Sequence, residues 1–185
     1  MTSRHRDWPR QWLMTDERLG NRLWEAIDRL PDGQAGIVFR HYSLEAAERA
    51  DLAARVGGIA RERGNVFAVA RDERLAKSVV ADLIHNPAHP PHTLPFSQAV
   101  HSLDEADIAR KAGAALVFVS PLYPTRSHPG QVAMGAELAR RIAERSSAPA
   151  IALGGINAER FARLERKAFY GWAGIDAWLG DALRT

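Results

Sequence analysis

Short apolar runs alternate along the chain with stretches whose apolar residues recur every three or four positions, a pattern that predicts parallel strands covered by crossover helices. The runs fall at Trp12 to Met14, Ile37 to Phe39, Val66 to Val69, Leu83 to Ile84, Gln98 to Val100, Leu116 to Val119, Ala150 to Leu153 and Trp172 to Ile175, eight in all. Between them Leu23, Ile27 and Leu30 form one apolar stripe and Leu138 with Ile142 another, each able to cover one face of a sheet. Ser102 and Glu105 have capping-box spacing and open a helix over Leu103 to Ala112, while Asn157 is placed to cap the helix carrying Phe161 and Leu164. One connection breaks the pattern. The prolines of HNPAHPPHTLPF, residues 85–96, forbid a regular helix, so the fourth crossover is expected as a loop.

Eight strands with seven helices predict an α/β chain folded as a compact (β/α)8 TIM barrel with an irregular fourth crossover, residues 1–185 forming a single barrel domain. The structural rival is an open doubly wound sheet, which normally carries a glycine-rich turn after its first strand. Here that turn reads MTDERLG, without G-x-G-x-x-G. In a barrel the chemistry belongs at the carboxyl ends of the strands, so the residues directly after each strand are the ones to search.

Composition narrows the function. With 46% hydrophobic residues the chain can bury a core, and the absence of cysteine excludes disulfides and thiolate metal sites. The apolar run Ala115 to Val119 is far shorter than the roughly 20 residues of a spanning helix, and MTSRHRDWPRQWLMTDE offers no apolar leader segment, so a cytoplasmic protein without membrane contact is expected. The net charge is +3, and arginines are interleaved with acids through every helix rather than gathered in a stripe. That distribution describes solvated helix faces and argues against a nucleic-acid partner.

Three post-strand loops could seat an anion. After the sixth strand SPLYPTRSHPG, residues 120–130, offers the hydroxyls of Thr125 and Ser127, the donor fork of Arg126 and the ring of His128. After the seventh, Gly154 and Gly155 let a ligand approach the backbone, and Asn157 opens a helix. After the eighth, Gly174 and Ile175 precede Asp176 and a last short helix. Barrels often build a phosphate site from the loops after strands seven and eight together.

The strings VHSLDEA, AGAALVFVSPLYPTRSHPG, PAIALGGI and GWAGIDA occur in this order between Ala99 and Trp178, with fainter echoes in MTDERL, VFRHYS and ADLIH. In them the chain resembles thiamine phosphate synthase and its relative, the thiazole tautomerase, and also the synthase-like domain fused to some Nudix hydrolases, which has a similar S-H-P-G string. The resemblance implies a barrel that joins a pyrimidine-methyl pyrophosphate to a thiazole phosphate and releases pyrophosphate with the help of magnesium. It assigns the thiazole phosphate, a small phosphorylated heterocycle, to Thr125, Arg126, Ser127, Gly155, Ile175 and Asp176, and the loop reading adds Gly154 and Gly174 to the same phosphate seat. Arg40 and His128 fall on the pyrophosphate side as catalytic candidates.

The other half departs from the family pattern. The string that grips pyrophosphate keeps Arg40 but has Tyr42 at its lysine position, and the Asn-Asp pair after the third strand reads Ala70 and Arg71, with Asp72 one residue late. The second magnesium carboxylate is replaced by Asn86, Pro87 and Ala88; the serine before VHS is Ala99, and the lysine after the hydroxyl loop is His128. Magnesium is therefore implied by the resemblance while its carboxylates are missing, and Arg40, Arg71, Arg126 and His128 form a candidate metal-free cradle.

A tautomerase is the second reading, with His128 or His101 as proton carrier, although that enzyme's histidine aligns with Pro121. A non-catalytic phosphate-binding barrel is the third. His85, His89 and His92 invite a metal site but lack a helix to align them, so ordinary loop histidines and no metal ligands are expected. His101 is read as facing the barrel mouth or else satisfying a neighbouring backbone group, Trp172 and Trp178 as barrel–helix packing or subunit contact rather than a stacking platform, and a homodimer as the candidate assembly.

Overall fold

The structure is a computed structural model that describes residues 7–124, 130, 132–164 and 168–180. Eight strands, β1 (Gln11–Met14), β2 (Ala35–Phe39), β3 (Val66–Ala70), β4 (Leu83–His85), β5 (Phe96–Val100), β6 (Leu116–Val119), β7 (Ala150–Leu153) and β8 (Gly171–Gly174), close into one barrel. Every pairing is parallel, with β1 bonded to both β2 and β8. The helices are α1 (Arg22–Asp28), α2 (Ala46–Glu62), α3 (Glu73–Ser78), α4 (Leu103–Ala112), α5 (Gly135–Ser146) and α6 (Ala158–Arg163).

Register explains how so small a barrel fills. Trp12 pairs across the sheet with Gly36 and Ala173, so its ring enters the lumen between two positions with little or no side chain. A methyl added at Gly36 would overlap that ring. Trp12 meets Phe118 edge-on with centroids 5.5 Å apart, and Phe118 meets His85 in the same way at 5.0 Å, so three rings span the interior. Burying such rings supplies the main driving force, of the order of 1.5–3 kcal/mol for a large apolar side chain.

Several element ends differ from the sequence expectation. β2 and β5 each start two residues early, at Ala35 and Phe96, because Gly36 and Ser97 line the lumen although neither is apolar enough to extend a hydrophobic run. β8 ends at Gly174, since Ile175 turns to φ −104°, ψ −75° and opens a single-turn 3-10 helix, Asp176–Trp178. Among the described residues there are thus six α-helices rather than seven. The stripe on α5 also shifts: Ala139, Ile142 and Ala143 are buried, while Leu138 faces out. The buried face of α5 is completed by Ser146, one turn after Ile142, and Leu138 lies outside it.

The caps fall where the sequence puts them. Ser102 accepts from the Glu105 amide and Asn157 from the Arg160 amide, and Gly113 ends α4 in the left-handed conformation. Glu105 reaches back one residue further than a standard capping box, accepting from the His101 amide at 2.6 Å. The fourth crossover, residues 86–95, has no helix. Trp172 and Trp178 stack at 4.9 Å, and the Trp178 indole donates to the Trp12 carbonyl at 3.0 Å, closing the β8–β1 seam.

Candidate active site at the carboxyl rim of the barrel

The loops after β6, β7 and β8 are locked together by glycine. Gly154 and Gly155 have φ of 93° and 61°, conformations that an L side chain resists. They also face the β6 loop: a methyl on Gly154 would come 2.8 Å from the Pro121 Cα, and one on Gly155 would come 2.6 Å from the Pro124 carbonyl oxygen. The Leu122 amide donates to Leu153 at 3.0 Å and the Tyr123 amide to Gly154 at 3.1 Å, so the β6 loop is bonded along the end of β7. Across the other seam, the Ile156 carbonyl lies 3.4 Å from where a Gly174 methyl would stand.

Five expected seat residues, Gly154, Gly155, Gly174, Ile175 and Asp176, therefore share one sector of the rim. Thr125, Arg126, Ser127 and His128 lie outside the described residues. Pro124, the described residue before them, has its carbonyl beside Gly155, and the Met134 amide donates to the Pro121 carbonyl at 2.9 Å. Arg160 donates to the Gly155 carbonyl and lays its guanidinium 5.4 Å over the Tyr123 ring, a brace the sequence reading missed because Arg160 sits in an ordinary charged helix. Of the two readings of His101, the structure shows the tie to a neighbouring backbone group: its Nδ1 lies 2.7 Å from the Ser120 carbonyl, so the exposed ring links the end of β5 to that of β6.

The opposite sector, after β1 to β3, is built from guanidinium groups. Arg40 donates through Nε to the Thr15 carbonyl at 3.0 Å and faces the Asp16 carboxylate at 3.4 Å; burial depresses its pKa, with Tyr42 and Asp16 opposing. Thr15 Oγ1 sits 3.1 Å from His41 Nδ1, and burial lowers the His41 pKa, favouring the neutral ring. Arg49, from the first turn of α2, spans the gap between β2 and β3: Nε donates to the His41 carbonyl at 2.6 Å, Nη2 to the Ala70 carbonyl at 3.2 Å and Nη1 to Asp72 at 2.7 Å. Nothing in its charged sequence neighbourhood distinguishes Arg49 from a solvated helix residue.

Arg71 follows β3 with φ of 66°, and its guanidinium lies 4.9 Å over the Tyr42 ring. A cavity of about 550 Å³ opens here, lined by Tyr42, Arg49, Arg71, Asp72, Glu73 and Arg74. Burial raises the Tyr42 pKa, with Arg40, Arg71 and Arg49 opposing it. Inside the barrel below, His85 Nδ1 is 3.0 Å from Ser97 Oγ; burial, assisted by the charges of Arg40 and Arg71, pushes its pKa down to about 3.

Magnesium fits this sector poorly. Asp72 accepts from the Leu75 amide at 2.9 Å with one oxygen, capping α3, and binds Arg49 with the other. The Asn86 side-chain oxygen accepts from Gln98 Nε2 at 2.6 Å and from the Ala99 amide at 3.3 Å. No group of three His, Asp or Glu able to hold a metal occurs among the described residues. His89 and His92 are exposed whereas His85 is buried, so the three loop histidines do not converge.

The sequence profile of the family described as thiamine monophosphate synthase matches residues 12–178, from the first lumen residue to the last 3-10 turn. The chain belongs to that family. A solved thiamine phosphate pyrophosphorylase from Pyrococcus furiosus superposes with a TM-score of 0.77 at 25% identity, covering 91% of this chain and 86% of its own. A thiamine-phosphate synthase of Methanospirillum hungatei is 31% identical over 164 residues, 79% of this chain and 78% of its own. An Aquifex aeolicus protein provisionally named thiamine-phosphate synthase 2 is 28% identical over 182 residues, 92% of this chain and 98% of its own. Membership in the thiamine monophosphate synthase family thus spans both sectors of the rim, the glycine-built one and the arginine-built one alike.

Proposed function

We propose that the protein is a thiamine phosphate synthase-type transferase that joins a pyrimidine-methyl diphosphate to a thiazole phosphate. In this reaction the bond between the pyrimidine methylene carbon and the diphosphate oxygen breaks, and its electron pair leaves on the diphosphate. The thiazole nitrogen lone pair closes a new C–N bond to that carbon, and pyrophosphate is released. The observation carrying the reading is the family match over residues 12–178. The division of the rim supports it, with an anion-tolerant glycine sector on one side and a cationic sector on the other.

In this reading Gly154, Gly155, Gly174 and Ile175 present backbone to the thiazole phosphate, together with Thr125, Arg126 and Ser127, and Asp176 shapes the end of that seat. Arg40 and His128 act on the diphosphate side, where positive charge stabilises the departing group. The same reading places the enzyme in the cytoplasm as a homodimer acting on small phosphorylated heterocycles, without nucleic-acid or membrane partners; among the described residues no helix is long and apolar enough to cross a membrane.

The commitment of Asp72 and Asn86 to internal bonds favours one second reading, an anion-binding barrel without turnover. Incubation with both substrates, with and without magnesium, decides between them. Thiamine phosphate formed with an equimolar amount of pyrophosphate is the expected result. Its absence at high enzyme concentration, combined with a rise in melting temperature on adding thiazole phosphate, would establish the second reading instead. Isomerisation of the thiazole carboxylate phosphate without any pyrimidine would displace both in favour of a tautomerase.

A further inference from the structure

We infer that the cavity between the ends of β2 and β3 is a diphosphate site that works through guanidinium groups without a divalent cation. The inference rests on the proposed function only for the identity of the anion; the charge arrangement stands by itself. Of the six residues lining the cavity, three are arginines and two are acids. Both acids are neutralised locally, Asp72 by Arg49 at 2.7 Å and Glu73 by Lys77 at 2.8 Å. Among the described residues Arg71 and Arg74 have no carboxylate partner, and both are exposed to the cavity, so its spare charge is positive.

Backbone conformation points the same way. Arg71 holds φ at 66°, a region costly for a side chain of its size, and there its guanidinium is set over Tyr42 instead of pairing with a carboxylate. Arg40 adds charge close by, near enough to act on Tyr42 and, with Arg71, on buried His85. A magnesium ion entering this cluster would meet guanidinium repulsion and find the oxygens of Asp72 and Asn86 already engaged. A diphosphate, by contrast, offers several acceptor oxygens to planar donor forks, which is the geometry arginine matches best.

Calorimetric titration of the full chain with inorganic pyrophosphate tests this. In EDTA the protein should bind pyrophosphate, and excess magnesium should leave the affinity unchanged or weaken it by sequestering the ligand. Replacing the two cavity arginines without a carboxylate partner among the described residues, Arg71→Gln with Arg74→Gln, should weaken binding at least about tenfold. The single Arg74→Gln variant, altered only at an exposed helix position, should show part of that loss. Binding that appears only with magnesium, binding unaltered in the double variant, or no binding at all would overturn the inference. The outcome is separable from that of the synthase reading. Pyrophosphate bound in EDTA without thiamine phosphate formation would sink the reaction and keep the site, whereas turnover with strictly magnesium-dependent pyrophosphate binding would do the reverse.

Discussion

His85 should make the fold acid-sensitive in a way that can be isolated. Its ring lies inside the barrel, against Phe118 and Ser97, and burial with the nearby charges of Arg40 and Arg71 holds its pKa at about 3. An unfolded histidine titrates near 6.5, so below that pH the unfolded chain takes up a proton that the folded chain refuses. The sign follows: the stabilisation is complete above about pH 6.5 and is lost as pH falls toward about 3, where the folded ring also protonates. Linkage makes the loss about 2 kcal/mol at pH 5 and about 3 at pH 4, a large part of the 5–15 kcal/mol typical of a domain. Urea unfolding of the wild type and of His85→Asn, which keeps a partner for Ser97 but cannot titrate, should give wild-type stability that falls between pH 7.5 and 5 by about 2 kcal/mol more than the variant's. Because every other histidine is the same in both proteins, their contributions cancel in the comparison. Equal slopes for the two proteins would show that the ring is hydrated or protonated in the fold, and the three-ring account of the lumen would fail with it.

Two further substitutions test the packing that positions the site. Gly155→Ala forces a side chain into φ of 61° and against the Pro124 carbonyl, so it should cost about 2–4 kcal/mol and abolish the melting shift given by thiazole phosphate; a variant as stable and as responsive as the wild type would refute the tight seam between the β6 and β7 loops. Gly36→Ala should cost about 1–3 kcal/mol by overpacking Trp12, and its combination with Trp12→Leu should be less destabilising than the two single effects added, as double-mutant denaturation curves would report; strict additivity would mean that the ring does not fill the space beside Gly36.

The barrel was legible because its strands are short, buried on both faces and bounded by amphipathic helices, so that apolar runs such as Leu116–Val119 and Ala150–Leu153 coincide with the strands themselves. Where the reading slipped, the lumen was the cause. A (β/α)8 interior mixes large and small residues across neighbouring strands, and a position filled by a neighbour's ring, such as Gly36, or by a polar pair, such as Ser97 with His85, carries no hydrophobic signal of its own. Leu138 erred in the opposite direction. Helical spacing from Ile142 alone made it part of a buried stripe, but the buried face of α5 is made by Ala139, Ile142, Ala143 and Ser146, and Leu138 lies outside it.

The two sectors of the rim were unequally visible for a related reason. Gly154 and Gly155 announce themselves because glycine is the residue that permits their left-handed turns and close seams, so a local sequence feature and a local structural need coincide. The arginine sector is assembled from α2, the β2 loop and the β3 loop, and its members belong to a chain whose other arginines mostly sit in ordinary ion pairs such as Arg140 with Glu137 and Glu144. What separates Arg49 from those is a set of main-chain acceptors, the carbonyls of His41 and Ala70, that exist only once two strands lie side by side. What separates Arg71 is the lack of a carboxylate partner among the described residues, which follows from Asp72 having turned to Arg49 and to the α3 cap. Displacing the acid by one position, from the end of the strand to the cap of the next helix, thus alters the sector twice: it withdraws an oxygen from a divalent cation and leaves a guanidinium uncompensated beside the cavity.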